Sequence, residues 1–145
     1  MPIRPLEFDD INQKFYDLII QETNPDFLLK MTEQDKNNFW SRYTSDPNLN
    51  YYVFSDKQNG IVGFVSIVIN PPILPYNMTY ATIGQISVDK NFDTVTIGDA
   101  LLKKCFKVAQ KFKCSKVLSL CEPKNIEFYK KCGFIQSSYT MEKVL

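Results

Sequence analysis

A mixed α/β domain is the fold class that this sequence predicts. Segments with the strand period of two alternate with segments of the helical period near 3.6, in the order β-α-α-β-β-β-α-β-α-β. The 145 residues suit one domain spanning 1–145, and their 44% hydrophobic and 14% aromatic content can supply a real core. Two β-rich runs joined by Asn59-Gly60 give a hairpin within that order.

Ile3-Arg4-Pro5-Leu6-Glu7-Phe8 alternates apolar and polar residues and forms the expected first strand. Asp9 or Asp10 can cap the following helix, where Ile11, Phe15, Leu18 and Ile19 recur at helical spacing up to Glu22. Thr32-Glu33-Gln34-Asp35 reads as a variant capping box ahead of a second helix that carries Phe39, Trp40 and Tyr43. Residues 50–54 and 61–69 are rich in β-branched and aromatic types and flank the turn Lys57-Gln58-Asn59-Gly60. Pro71-Pro72-Ile73-Leu74-Pro75 breaks the sheet into a surface loop, and strand character resumes over 79–88.

A polar, β-branched linker over 89–98 precedes a helix with Leu101, Leu102, Cys105, Val108, Ala109 and Phe112 on one face. Residues 116–121 read as a short buried strand, 125–132 as a short helix stopped by Gly133, and 134–144 as a final strand. That last strand is long and alternating, so a small sheet would leave it as an exposed edge. Its covering by a second chain, in a two-fold dimer, is the expectation.

Lys and Arg total 17 against 16 Asp and Glu, and a net charge of +1 gives no long-range pull toward nucleic acid or an anionic membrane. Histidine is absent, which excludes Ser-His-Asp and Cys-His catalysis and His-ligated metals. No metal site is expected, and proton transfer falls to Tyr, Cys, Lys, a carboxylate or water. No apolar run approaches the roughly 18–20 residues that span a bilayer. The amino end carries no apolar signal region. Cys105, Cys114, Cys121 and Cys132 form no CxxC pair. Reduced thiols in a soluble cytoplasmic protein are therefore expected, with Cys121 and Cys132 as small buried hydrophobes.

A polar loop between a strand and a helix amino end is a common seat for phosphate, and residues 89–98 fill that place. Asn125-Ile126-Glu127-Phe128-Tyr129-Lys130-Lys131-Cys132-Gly133-Phe134 is more specific. It resembles the N-x-x-F-Y-x-K-C-G-F pattern of glucosamine-6-phosphate N-acetyltransferases, within the GNAT superfamily of acetyl-CoA-dependent acetyltransferases. Ile3-Arg4-Pro5-Leu6 is similar to that family's opening strand and Gln21-Glu22-Thr23 to the end of its first helix. Tyr51-Tyr52-Val53 is similar to its second strand, and Lys113-Cys114-Ser115-Lys116-Val117 to the approach to its fifth.

The resemblance implies a GNAT acyl-CoA N-acyltransferase fold, whose central, mostly antiparallel sheet is flanked by helices. Its fourth and fifth strands splay to admit acetyl-CoA. Backbone groups of Ile86, Ser87 and Val88 would pair with the pantetheine, and Asn125 would contact the same arm. Asp93, Thr94, Val95, Thr96, Ile97 and Gly98 would cradle the pyrophosphate. Tyr129 would protonate the departing thiolate, and Thr23 would help bind the sugar phosphate. The amine would attack the thioester directly, without an acyl-enzyme. The implied activity is acetyl transfer to the amine of glucosamine 6-phosphate, in UDP-GlcNAc precursor synthesis. In that family a homodimer shares each sugar site through the partner's last strands.

The sequence departs from the pattern at named positions. Asp93 stands where the family has Arg or Gln, and Gly98 is the only position of its Gly-rich loop that is kept. An aspartate there repels a pyrophosphate, although the threonine hydroxyls could donate to it. Gly84 and Gln85 replace an acidic pair on the fourth strand, with Gln85 counted among the substrate-binding residues. Leu120 replaces the carboxylate that orients the amine. Glu122 lies two residues on, where strand periodicity puts it on the same face as a replacement carboxylate. Residues 70–81 contain no basic side chain, leaving Arg4, Lys30 or Lys143 for a sugar phosphate.

Blander readings of these residues also exist. Phe128 and Tyr129 suit a core aromatic pair, Asn125 a helix cap, and Lys103-Lys104 and Lys130-Lys131 solvated faces or minor partners of a CoA phosphate. Another small amine as acceptor, or a degenerate non-catalytic GNAT domain, are the functional alternatives.

Overall fold

The computed structural model describes residues 2–20, 30–72 and 78–145. Strand β1 (Ile3–Pro5) is antiparallel to β2 (Leu49–Asp56), β2 to β3 (Gly60–Asn70), and β3 to β4 (Tyr80–Val88). β5 (Val117–Ser119) lies parallel to β4, and the sheet order follows the chain, β1-β2-β3-β4-β5. Helices α1 (Gln13–Ile20) and α2 (Glu33–Ser45) cover one face, where Phe15 and Leu18 pack with Val53, Ile61 and Phe64. Helices α3 (Thr94–Lys111) and α4 (Ile126–Lys131) cover the other, where Leu101, Leu102, Cys105 and Tyr129 pack with Val65, Ile67 and Ile83. Fully burying each such aliphatic side chain contributes about 1.5–3 kcal/mol, so both faces of the central strands are held.

Local signals account for most of these elements. Thr32 Oγ1 accepts from the Asp35 amide at 3.1 Å, and the Asp35 carboxylate accepts from the Thr32 amide at 2.8 Å. This is the reciprocal capping box expected at α2. In the β2–β3 hairpin, Asp56 accepts from the Gln58 and Asn59 amides at 3.0 and 2.9 Å, and Gly60 takes φ +72°. A side chain with a Cβ would resist that angle.

Other elements differ from expectation. The first strand stops at Pro5 rather than Phe8, because Phe8–Asp10 winds into a 3-10 turn. Arg4 grips Asp10 there through two contacts of 2.7 and 2.8 Å. Asp10 is thus committed to that ion pair, and Asn12, not Asp9 or Asp10, accepts from the Phe15 amide at the start of α1. The expected end of this helix, Gln21-Glu22-Thr23, lies outside the described residues, as does most of the proline-rich loop. The expected linker over 89–98 is shorter, since α3 already begins at Thr94. Phe112 is exposed beyond its last turn rather than on the buried face, and Lys113, at φ 59°, takes the left-handed turn that ends the helix.

The expected final strand is absent. Residues 134–145 pair with no strand among the described residues. Phe134 is the last anchored residue, its ring 5.6 Å from Phe106 and 5.2 Å from Tyr129. Beyond it Ile135, Tyr139 and Met141 stand 83%, 95% and 92% exposed. The alternation is real, but alternation alone does not make a strand, which forms only when its backbone pairs with a neighbouring edge.

Two features of β4 position the site. It pairs with β5 only from Ala81 to Ile83, against Val117 to Ser119, and then runs on past the end of β5 paired with β3 alone. Its pairing with β3 also skips Gly84, since Ser66 faces Gln85 and Ile67 faces Ile83. This bulge shifts the side-chain alternation by one. Ala81, Ile83, Ile86 and Val88 therefore all join the α3 face, while Gln85 turns to α1.

Candidate active site

Where β4 and β5 part, a cleft of ≈ 230 Å³ opens between them, floored by Ile83, Gly84, Gln85 and Ile86. Ser119, Leu120, Glu122, Asn125 and Tyr129 close its other side. The structure thus brings together Gln85, Ile86, Glu122, Asn125 and Tyr129 from the expected set. A Cβ at Gly84 would lie 2.7 Å from Ser66 Oγ and would force that hydroxyl to turn away. That hydroxyl accepts from the Gln85 amide at 2.9 Å and so pins the bulge.

Tyr129 is 8% exposed, its ring packed edge-on against Phe128 and Phe134. It is therefore both core and cleft wall. Its Oη lies 3.1 Å from Ser119 Oγ. Burial raises the phenol above its usual pKa, and the Ser119 hydrogen bond acts in the opposite direction. A phenol held protonated in a cleft can donate to an anion formed there. Asn125 precedes α4, yet its side chain makes no capping bond. The capping role is not the one it has.

Glu122 reaches the cleft by a different route from the one expected. β5 ends at Ser119, and Glu122 sits at the start of the 3-10 turn Pro123–Asn125, where its carboxylate lies 3.5 Å from Lys124. Leu120 lines the cleft beside it at 76% exposure. Gln85 lines the cleft and also makes a structural contact. Its Nε2 donates to the Ile19 carbonyl at 2.6 Å and to Ser87 Oγ at 3.2 Å, tying β4 to the end of α1. Ser87 is itself buried.

Asp93, Thr94, Val95, Thr96, Ile97 and Gly98 form the cap and first turns of α3 rather than a loop. Ile97 and Gly98 are buried, so their side-chain positions face the core. The Asp93 carboxylate accepts from the Thr96 amide at 3.0 Å and from Thr96 Oγ1 at 2.7 Å. Those two bonds hold it below the usual carboxylate pKa, the amide bond first. The chain thus places its own anion where a helix start attracts one. Of the threonine hydroxyls expected to serve phosphate, that of Thr96 is engaged with it. Next to this turn lies a second hollow of ≈ 430 Å³, lined by Val95, Thr96, Asp99, Lys103, Phe128, Lys131 and Cys132. Helix α4 divides the two spaces, with Phe128 on one side and Tyr129 on the other.

Two expected residues are not brought to the cleft: Lys143 is exposed in the carboxyl-terminal segment, and Arg4 on β1 is paired with Asp10. Thr23 lies outside the described residues. Cys121 is exposed rather than buried, whereas Cys105 is buried, which pushes its thiol up to about 12. Cys132 is pushed up to about 11 by partial burial and by the Asp99 carboxylate 3.4 Å away. Neither provides a thiolate nucleophile at neutral pH. Among the described residues no group of three or more Cys, Asp or Glu could hold a metal, and no helix is long and apolar enough to cross a membrane. The main residue that sequence reasoning missed is Ser119, whose only signal is a hydroxyl closing the apolar run Val117-Leu118.

A parallel β4–β5 pair that parts over a cleft, inside an otherwise antiparallel sheet, is the arrangement that the resemblance implies, and the comparisons with known proteins agree. The Acetyltransferase (GNAT) family model matches residues 12–134. The chain belongs to the GNAT family of acetyltransferases, enzymes that take acetyl from acetyl-CoA as co-substrate. It is 26% identical over 106 residues to a glucosamine 6-phosphate N-acetyltransferase of Candida albicans, covering 72% of this chain and 71% of that one. The crystal structure of glucosamine-6-phosphate N-acetyltransferase from Arabidopsis thaliana superposes with TM-score 0.86 at 24% identity, covering 98% and 96% of the two chains. An aminoglycoside 6'-N-acetyltransferase from Acinetobacter baumannii shares the fold at TM-score 0.70 and 13% identity, with 98% and 97% covered. The same scaffold therefore serves different acceptors.

Proposed function

We propose that this enzyme transfers acetyl from acetyl-CoA to the primary amine of glucosamine 6-phosphate. The acetyl thioester enters between β4 and β5, along the backbone of Ile86, Ser87 and Val88 and past Asn125. The free amine attacks the thioester carbonyl, the C–S bond breaks, and the thiolate takes its proton from Tyr129. The nitrogen, cationic after attack, loses a proton to solvent as the amide forms, the phenolate regains one from solvent, and amide and free CoA leave. Glu122 faces the amine and helps to hold it in place. The observation that carries this reading is the buried Tyr129 phenol in the wall of the cleft. The acceptor is supported by the likeness to the Candida albicans enzyme.

A thiol-release assay with acetyl-CoA and glucosamine 6-phosphate tests the proposal directly. Turnover with glucosamine 6-phosphate well above that with glucosamine or simple amines is expected. Turnover confined to other amines would overturn the acceptor. That second reading is favoured by two features: no Lys or Arg lines the cleft among the described residues, and Leu120 stands where an amine-orienting acid was expected. CoA binding without turnover on any amine would leave the degenerate, non-catalytic reading.

The pyrophosphate is proposed to lie at the start of α3, against Asp93. Asp93→Ser retains a good N-cap and removes the charge. Removing that like charge should give severalfold tighter CoA binding by calorimetry at low salt. The gain should shrink as salt is added. Unchanged affinity at low salt would put the pyrophosphate elsewhere.

Assembly is proposed to be a homodimer in which the exposed, alternating carboxyl-terminal segment packs on the second chain. Light scattering should give a two-chain mass for the full chain and a one-chain mass after deletion of residues 135–145. A single-chain mass for the full protein across micromolar concentrations would remove the dimer and any shared site.

A further inference from the structure

We propose that Ser119 is a positioning residue for Tyr129, turning the phenol so that its proton points into the cleft. This rests on the reading of Tyr129 as the proton donor, and adds to it how that proton is aimed.

Ser119 is the last residue of β5, opposite Ile83, at the point where β4 and β5 part. Its hydroxyl carries one proton and has two acceptors within reach, Tyr129 Oη at 3.1 Å and the Leu120 carbonyl at 3.3 Å. If the hydroxyl donates to Leu120, the phenol can donate to Ser119 Oγ, and its proton is held away from the reaction. If the hydroxyl donates to Oη, the phenol's own O–H is left to the cleft. The second arrangement is also the only one compatible with the moment after proton transfer, because a phenolate can only accept. Ser119 then supplies the hydrogen bond that stabilises it, without moving the ring, which Phe128 and Phe134 hold in place. Valine at this position would remove the hydroxyl and leave the phenol's orientation unset.

A purely structural serine would affect stability alone, so the test reads proton chemistry. In Ser119→Ala, kcat should fall about tenfold, the scale of one lost hydrogen bond, with KM for acetyl-CoA unchanged. The alkaline limb of kcat should move to higher pH, because the lost donor favoured the phenolate. In a Tyr129→Phe background the same substitution should cost nothing further. Ser119→Thr against Ser119→Val supplies a shape-matched pair should alanine fold poorly: Thr should retain turnover and Val lose it. The Tyr129 ¹³Cζ titration in free protein, assigned with Tyr129→Phe, should rise in Ser119→Ala whether or not an acceptor has been found.

An unmoved titration and pH limb, or an equal loss of kcat in both backgrounds, would overturn the positioning role and leave the acetyl-transfer reading intact. Undiminished turnover in Tyr129→Phe would overturn the positioning role and the assignment of Tyr129 as proton donor together, with acetyl transfer itself still observed.

Discussion

Tyr129→Phe is expected to lower kcat by about 10²–10³-fold, the scale on which a general acid or one charge-stabilising donor acts. KM for acetyl-CoA should change little, because the phenol interacts most strongly with charge that exists only as the thiolate departs. The ring contacts with Phe128 and Phe134 survive the substitution. Ser119, losing its acceptor, can turn to the Leu120 carbonyl, so no buried donor is stranded. Stability should therefore fall by no more than the roughly 1 kcal/mol of an ordinary hydrogen bond. If Tyr129 is only a core residue the pattern reverses, with turnover kept and any loss seen in melting. The wild-type phenol is raised by burial, so its proton remains available through neutral pH. The alkaline limb set by this group should fall above the ordinary tyrosine value of about 10. Measuring kcat and melting temperature on the one variant separates the two roles.

The legible parts of this fold are those in which short stretches of sequence carry their own physics. Thr32 and Asp35 satisfy each other's amides, and Asp56, Asn59 and Gly60 close their turn almost without help from the rest of the chain. The apolar face of α3 from Leu101 to Ala109 is likewise periodic and buried. The start of α3 was harder to read. Thr94, Val95 and Thr96 suggest extended chain by their branching, yet the Asp93 cap recruits them into the helix. The final strand failed for another reason. Period-two alternation in 134–144 says which residues share a side but not whether an edge exists to pair with, and that depends on a neighbour.

The candidate site divides in the same way. Tyr129 and Asn125 were found through a local motif, whereas Ser119 becomes significant only once α4 brings Tyr129 back over β5. Gln85 could be placed on β4 from sequence, but its engagement with the Ile19 carbonyl is a contact across 66 positions. Glu122 was reached by a periodicity that its segment does not follow.

Gly98→Val is expected to reach the chemistry through packing alone. Gly98 is the one position retained from the family's loop, and the structure supplies a reason unrelated to phosphate. It is buried in α3, and a Cβ there would lie 2.9 Å from Phe128 Cζ on α4. Helix propensity alone would favour replacing the glycine, by up to about 1 kcal/mol for Ala. Valine instead adds branched carbons to an overlap already too close, and overpacking of this kind costs about 1–3 kcal/mol. Phe128 must turn out of the hollow beside α3 or α4 must move. Either response disturbs Tyr129, the next residue, and a shift of about 1 Å at a reacting group can cost roughly 10²-fold in rate. Gly98→Val should therefore melt lower and turn over poorly even though it touches no substrate. Adding Phe128→Ala should recover part of the melting temperature beyond additivity, because the two changes share one overlap. A Gly98→Val enzyme with wild-type stability and turnover would mean that the α3–α4 contact is loose enough to absorb a branched side chain, and that it does not set where Tyr129 sits.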